Sequence, residues 1–260
     1  MVKKLLTKWY FYLVLLFMYA PIITLIIFSF NEGKSRGMWS GFSLKWYKSL
    51  LQNDSILSAL GTTMLVALLA SLIATVIGTL AAIALYHSKP VTRKIFTSAT
   101  YLPMVNSDIV TGVSLMLLFS FLSIHLGFST LLMAHVTFCV PYVILSVLPK
   151  LYQLNRHTFE AALDLGASYA AAYRKIVLPE IMPGIVTGLL ISVTLSIDDF
   201  MISFFTTGKG VQNLSILIYT MTKRGIKPEI NALSALMFFV VLLLLFVTNF
   251  RQVKTKNQKD

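Results

Sequence analysis

Acidic residues are scarce in this 260-residue chain, with ten Asp and Glu against twenty-two Lys and Arg, and charged residues of both signs make up only 12%. So thin a charged complement cannot clothe a water-soluble protein of this length. There is a single cysteine, Cys139, so no intrachain disulfide can form and the thiol gives no indication of redox compartment. Lying within an apolar run, it reads as a packed thiol. The four histidines, His87, His125, His135 and His157, show no metal-ligand spacing, and neither an HExxH motif nor a Ser, His and acid constellation is present. Gly33, Lys34 and Ser35 imitate the end of a phosphate-binding loop, but Phe28 stands where the first glycine is required and the strand-loop-helix context is missing. No catalytic residue, metal or cofactor is expected, and the chain is not expected to bind ATP. Repeats with a period of about 20 to 50 residues and low-complexity tracts are also lacking.

What remains is apolar. Hydrophobic side chains make up 57% of the chain and the mean hydropathy is +0.78. Crossing about 30 Å of hydrocarbon takes roughly 20 apolar residues in a helix, and six stretches qualify: residues 9–30, 58–86, 95–122, 128–148, 179–206 and 231–250. The expected architecture is therefore an all-α polytopic membrane protein with six spans. The first stretch is too long for the core of a signal peptide and is expected to stay as a span. In a soluble protein a net charge of +12 would suggest nucleic acid, but here the placement of Lys and Arg sets orientation. Fourteen of the twenty-two fall on the side that holds both termini, which the positive-inside rule makes cytoplasmic. Membrane lipid, and no nucleic acid, is the expected surrounding partner.

Two segments carry more than hydropathy. The second span has Ala70, Ala74, Gly78 and Ala82 at four-residue spacing, a small-residue row that lets helix backbones approach, for which packing is sufficient explanation. Between the fourth and fifth spans, RHTFEAALDLGASYAAAYRKIVLPE forms the one sizeable cytoplasmic feature. Gly166 suits a helix end, and Thr158 is expected to cap a short helix through FEAALDL. Beyond the glycine, Tyr169, Ala172, Tyr173 and Ile176 share one face, leaving Arg174 and Lys175 off it, and Pro179 fits the first turn of the next span. Periodicity alone suits an interfacial helix on lipid headgroups equally well.

The residue pattern adds to this. Glu160, Ala161 and Ala162, then Gly166, then Leu178 and Pro179 resemble the EAA signature of the permeases of ABC importers. The resemblance covers nearly the whole chain and implies a type I (MetI-like) fold, a single permease domain over residues 1–260 with its core at about 58–250, and a bacterial plasma (inner) membrane location. It further implies that residues 158–178 form a coupling loop, with Glu160 and Gly166 docking on an ATPase subunit and Ala161 and Ala162 letting the loop seat closely. The implied partners are a second permease subunit, two ATP-binding subunits and an extracytoplasmic binding protein.

Carboxylates in spans are costly, roughly 2.5 to 3.5 kcal/mol each at a helix centre. Asp108, Asp198 and Asp199 must therefore be compensated, and no basic residue lies close to them in their own two spans. Gly184, Gly188, Ser192, Ser196, Asp199, Ser203 and Thr206 form a small and polar stripe along the fifth span, with Asp198 at its edge, while Pro103 predicts a kink before Asp108. Interhelical hydrogen bonds are one explanation. The other is a cation path lined by Asp108, Asp198, Asp199, Ser196 and Ser203 with aromatic neighbours. The run SIDDFMISFF resembles the spermidine and putrescine permeases within the importer family, which implies a polyamine substrate. Another cationic or small organic solute is the alternative within the family, and a stand-alone channel or secondary transporter the alternative outside it.

Overall fold

The computed structural model describes residues 2–33, 38–223 and 228–256, with the side chains of 2–8, 156, 241 and 244–256 left out. Lys34, Arg36, Arg224, Lys227 and Lys259, which entered the charge count above, lie outside the described residues. In chain order the helices are α1 (Val2–Ser29), α2 (Lys45–Leu51), α3 (Asp54–His87), α4 (Pro90–Val105), α5 (Asp108–Phe121), α6 (Phe128–Tyr152), α7 (Arg156–Asp164), α8 (Tyr169–Ala172), α9 (Leu178–Asp198), α10 (Met201–Thr206), α11 (Leu214–Lys223) and α12 (Glu229–Lys256). A π-helical turn, Tyr173–Val177, joins α8 to α9. The β-structure among the described residues is one isolated bridge, Asn31 to Phe42.

Four described helical stretches are long and apolar enough to cross a membrane: Trp9–Ser29, Asp54–His87, Phe128–Tyr152 and Tyr169–Asp198. The third predicted span is a broken one, because α4 and α5 meet at 106°. Pro103 lies inside α4, and the break comes three residues later, at Asn106 and Ser107. The fifth predicted span, 179–206, also differs from expectation. It begins earlier, running without interruption from α8 through the π turn, and ends earlier, at Asp198. The sixth, 231–250, falls on α12, whose apolar segment with described side chains reaches Val240.

The chain divides into two compact units, Met1–Ser58 with Leu217–Asp260, and Ala59–Ile216. In the first, α1 and α2 both pack on α12. Trp46 Nε1 donates to Asn31 O at 2.7 Å, and Ser49 Oγ donates to Glu229 Oε1 at 2.7 Å. The second unit is organised by α6, where Ala134, Cys139, Val143, Val147 and Leu151 are fully buried. Its long contact is with α9, made close by glycine. A Cβ on Gly184 would stand 2.8 Å from Ser146 O, and one on Gly78 of α3 would stand 2.6 Å from Val143 Cβ. Both small-residue rows predicted from sequence thus serve helix contact, and both press on the same helix.

Candidate functional site

The fifth span stops where its carboxylates begin. Asp198 ends α9, Asp199 follows in extended conformation, and α10 starts two residues later. The Asp199 side chain caps the new helix: Oδ1 accepts from Ile202 N at 3.1 Å, while Oδ2 accepts from Ser203 N and Ser203 Oγ, each at 2.8 Å. These three donors satisfy a buried carboxylate that would otherwise be prohibitive.

The polar stripe has a partner that sequence spacing did not reveal. His135 of α6, 1% exposed, brings Nδ1 to Ser196 Oγ at 2.7 Å and Nε2 to Ser203 Oγ at 2.9 Å. Its Nε2 also lies 3.5 Å from Asp199 Oδ2. The structure therefore brings Ser196, Asp199 and Ser203 together in a buried cluster facing α6. A lone histidine in an apolar span was the signal that could have found it.

Asp198 and Asp108 are placed differently. Both are exposed on the chain, one at the end of α9 and the other in the first turn of α5, so each sits at the break of its own span. The two breaks are joined by packing. A Cβ on Gly112, one turn after Asp108, would stand 3.2 Å from Met201 O and 3.3 Å from Ile202 Cα, at the start of α10. The rings of Phe200 and Phe204 lie tilted at 43° to each other with centroids 5.5 Å apart. Carboxylates gathered at the breaks of two packed helices are an arrangement suited to cations.

At the EAA stretch, the cap of α7 is Asn155, whose side chain accepts from His157 N at 3.0 Å, and not Thr158, which lies in the first turn. Glu160 and Ala161 are exposed and Ala162 half-buried. The helix closes on Gly166 at φ +87°, with Gly166 N donating to Leu163 O at 2.9 Å and Ala167 N to Ala162 O at 3.0 Å. These two bonds are a Schellman closure that needs a left-handed residue. An aromatic chain runs inward from this helix: Phe159 contacts Tyr173 edge-on with centroids 5.3 Å apart, and Tyr173 OH meets His87 Nε2 at 2.9 Å, at the end of α3. Leu178 and Pro179 open α9 and are exposed. Between Phe159, Tyr173 and the end of α3 lies a cavity of ≈ 610 Å³, with Glu160 and Glu180 in its wall.

The model for the family described as binding-protein-dependent transport system inner membrane component matches residues 74–253. The chain belongs to this family. It is 38% identical over 248 residues, 95% of this chain and 94% of that protein, to the spermidine/putrescine transport system permease protein PotC of Escherichia coli (strain K12). To the PotC protein of Haemophilus influenzae it is 39% identical over 95% of this chain and 96% of that one. The putrescine transport system permease protein PotI of Escherichia coli (strain K12) is 37% identical, over 94% of this chain and 89% of that protein. Among solved structures, a bacterial ABC transporter involved in import of the acidic polysaccharide alginate superposes with TM-score 0.69 at 17% identity, covering 98% of both chains. The MetNI methionine ABC transporter gives 0.63 at 17% identity, covering 82% of this chain and 99% of that one. The type I importer fold expected from the EAA resemblance is thus the fold of this chain. Family membership makes it an inner-membrane transport component, with ATP hydrolysis in separate subunits.

Proposed function

We propose that this chain is one permease subunit of an ABC importer for polyamines, spermidine and putrescine. The observation that carries the reading is the pair of exposed carboxylates, Asp108 and Asp198, at the breaks of two spans that pack against each other through Gly112. A flexible polycation compensates such acids as it passes, whereas an anionic or neutral solute would leave them unpaired in a poorly hydrated path. The polyamine systems named for the PotC and PotI relatives agree with this chemistry. Asp199, Ser196 and Ser203 then act as the frame of the path and not its lining, since they are buried against α6.

The subunit works with a second permease, two ATP-binding subunits and an extracytoplasmic polyamine-binding protein. The binding protein delivers cargo to the outer mouth. Closure of the ATPases moves α7, through Glu160, Ala161 and Ala162 and the turn at Gly166, and the Phe159, Tyr173 and His87 contacts carry that motion to the start of α9 at Leu178 and Pro179 and to the end of α3. Access alternates and the cation moves inward.

The test is uptake of radiolabelled spermidine by a polyamine-transport-deficient bacterium carrying the full set of subunits, with unlabelled competitors. Accumulation suppressed by excess putrescine but not by a neutral amino acid or an acidic sugar is expected. Absence of accumulation in cells containing the assembled complex would leave the importer and discard the substrate.

A further inference from the structure

The break in the fifth span is held from the side by one residue of another helix. Ser196 lies before the break and Ser203 after it, and the two nitrogens of His135 reach one each, at 2.7 and 2.9 Å. The one hydroxyl proton of Ser203 goes to Asp199 Oδ2, so Ser203 Oγ accepts from the ring at Nε2, and the Ser196 hydroxyl, free to rotate, meets Nδ1. Asp199, in the middle of the break, turns back to cap α10 and lies 3.5 Å from the same ring. Around the ring α6 is close-packed, with Leu131, Ala134 and Cys139 fully buried, so the imidazole has no room to follow a displaced helix end.

The consequence falls on the residue between them. Ser196, Ile197 and Asp199 are all buried, at 2%, 7% and 9% exposure, and Ser196 and Asp199 face His135 of α6, whereas Asp198 is exposed. With its neighbours fixed on one side, the Asp198 carboxylate is directed to the other. We propose that His135 is a positioning residue for cation passage: it clasps the two halves of the broken fifth span so that Asp198 is presented to the path, without itself touching the substrate. This rests on the reading of Asp198 as a path carboxylate. The competing account is a core histidine whose loss lowers stability and nothing else.

The experiment uses the complete importer complex. Cys139 is the single cysteine and is buried, so a Cys139→Ala background carrying Asp198→Cys gives one reporter thiol. Its reaction rate with a trimethylammonium methanethiosulfonate is measured with His135 intact, with His135→Leu and with His135→Gln, which keeps a polar end toward Ser203. Spermidine uptake kinetics are measured for the same two His135 substitutions in the otherwise unaltered chain. In assembled complex, His135→Leu is expected to slow labelling and to raise the uptake KM, each by about tenfold, equivalent to roughly 1.4 kcal/mol, with His135→Gln recovering part of both. Identical labelling and KM in all three, or a maximal uptake that falls only in proportion to complex yield, overturns the proposal. A labelling shift without polyamine uptake by the unsubstituted chain supports the clasp and removes the polyamine reading, so the two fail separately.

Discussion

Asp199→Ala is expected to eliminate well-folded protein from the membrane, while Asp198→Asn one residue away leaves folding intact and weakens transport. The two aspartates are adjacent in sequence but stand in opposite environments. Asp199 accepts from Ile202 N, Ser203 N and Ser203 Oγ inside the protein, and alanine leaves all three donors without that acceptor. The Ser203 hydroxyl can turn to His135, but the two buried amides are orphaned at about 1 to 3 kcal/mol each, a large share of the roughly 5 to 15 kcal/mol that holds a typical protein folded. Asp199→Asn keeps one acceptor oxygen and is expected to fall between the two. Yield and thermal stability of the detergent-extracted protein, followed by size-exclusion, give the check. Equal stability of Asp199→Ala and Asp198→Asn would show that the cap does not hold the break.

The second large effect is at the end of α7. Gly166→Pro is expected to abolish ATP-driven uptake in complexes that still assemble. Gly166 sits at φ +87° and donates its N–H to Leu163 O. Proline is locked near φ −65° and has no N–H, so it removes one bond of the closure and forbids the backbone of the other. The loss of closure lets the end of the exposed helix that carries Glu160, the proposed contact with the ATPase, unwind. Gly166→Asn, which tolerates a left-handed backbone, is expected to keep most of the activity, and Gly166→Ala to lose about 1 to 2 kcal/mol of local stability. ATP-dependent uptake at matched complex levels separates these outcomes. Normal uptake by Gly166→Pro would remove the coupling role from this turn.

Helix ends and faces were readable in proportion to how local their causes are. Gly166 was identified as a terminator because a glycine after a helical run is itself the physical requirement. The stripe from Gly184 to Thr206 was also readable, since a period of 3.6 gives a face, but periodicity names no neighbour. Only the fold shows that the face meets α6 and that His135 waits there. The break after Asp198 was missed because SIDDFMISFF is apolar enough to pass as continuous helix. Its local signal is the cap, a carboxylate followed three and four residues on by the amides it accepts from. In the third span Pro103 drew attention to a kink, while the helix restarts at Asp108 after extended backbone at Asn106 and Ser107, with the aspartate in its first turn. The cap of α7 was misplaced by one turn, Thr158 for Asn155, because both residue types suit the position and the choice depends on where the preceding helix stops.

The central claim is that a polycation crosses past the two exposed carboxylates at the broken spans. The measurement that tests it most directly is spermidine uptake kinetics for the double variant Asp108→Asn with Asp198→Asn, in cells where the complex is quantified by co-purification of its subunits. Uptake KM rising about tenfold or more, at an unchanged amount of complex and with a larger loss for trivalent spermidine than for divalent putrescine, is the predicted result. Uptake of both polyamines at wild-type rate and affinity by that variant would contradict it.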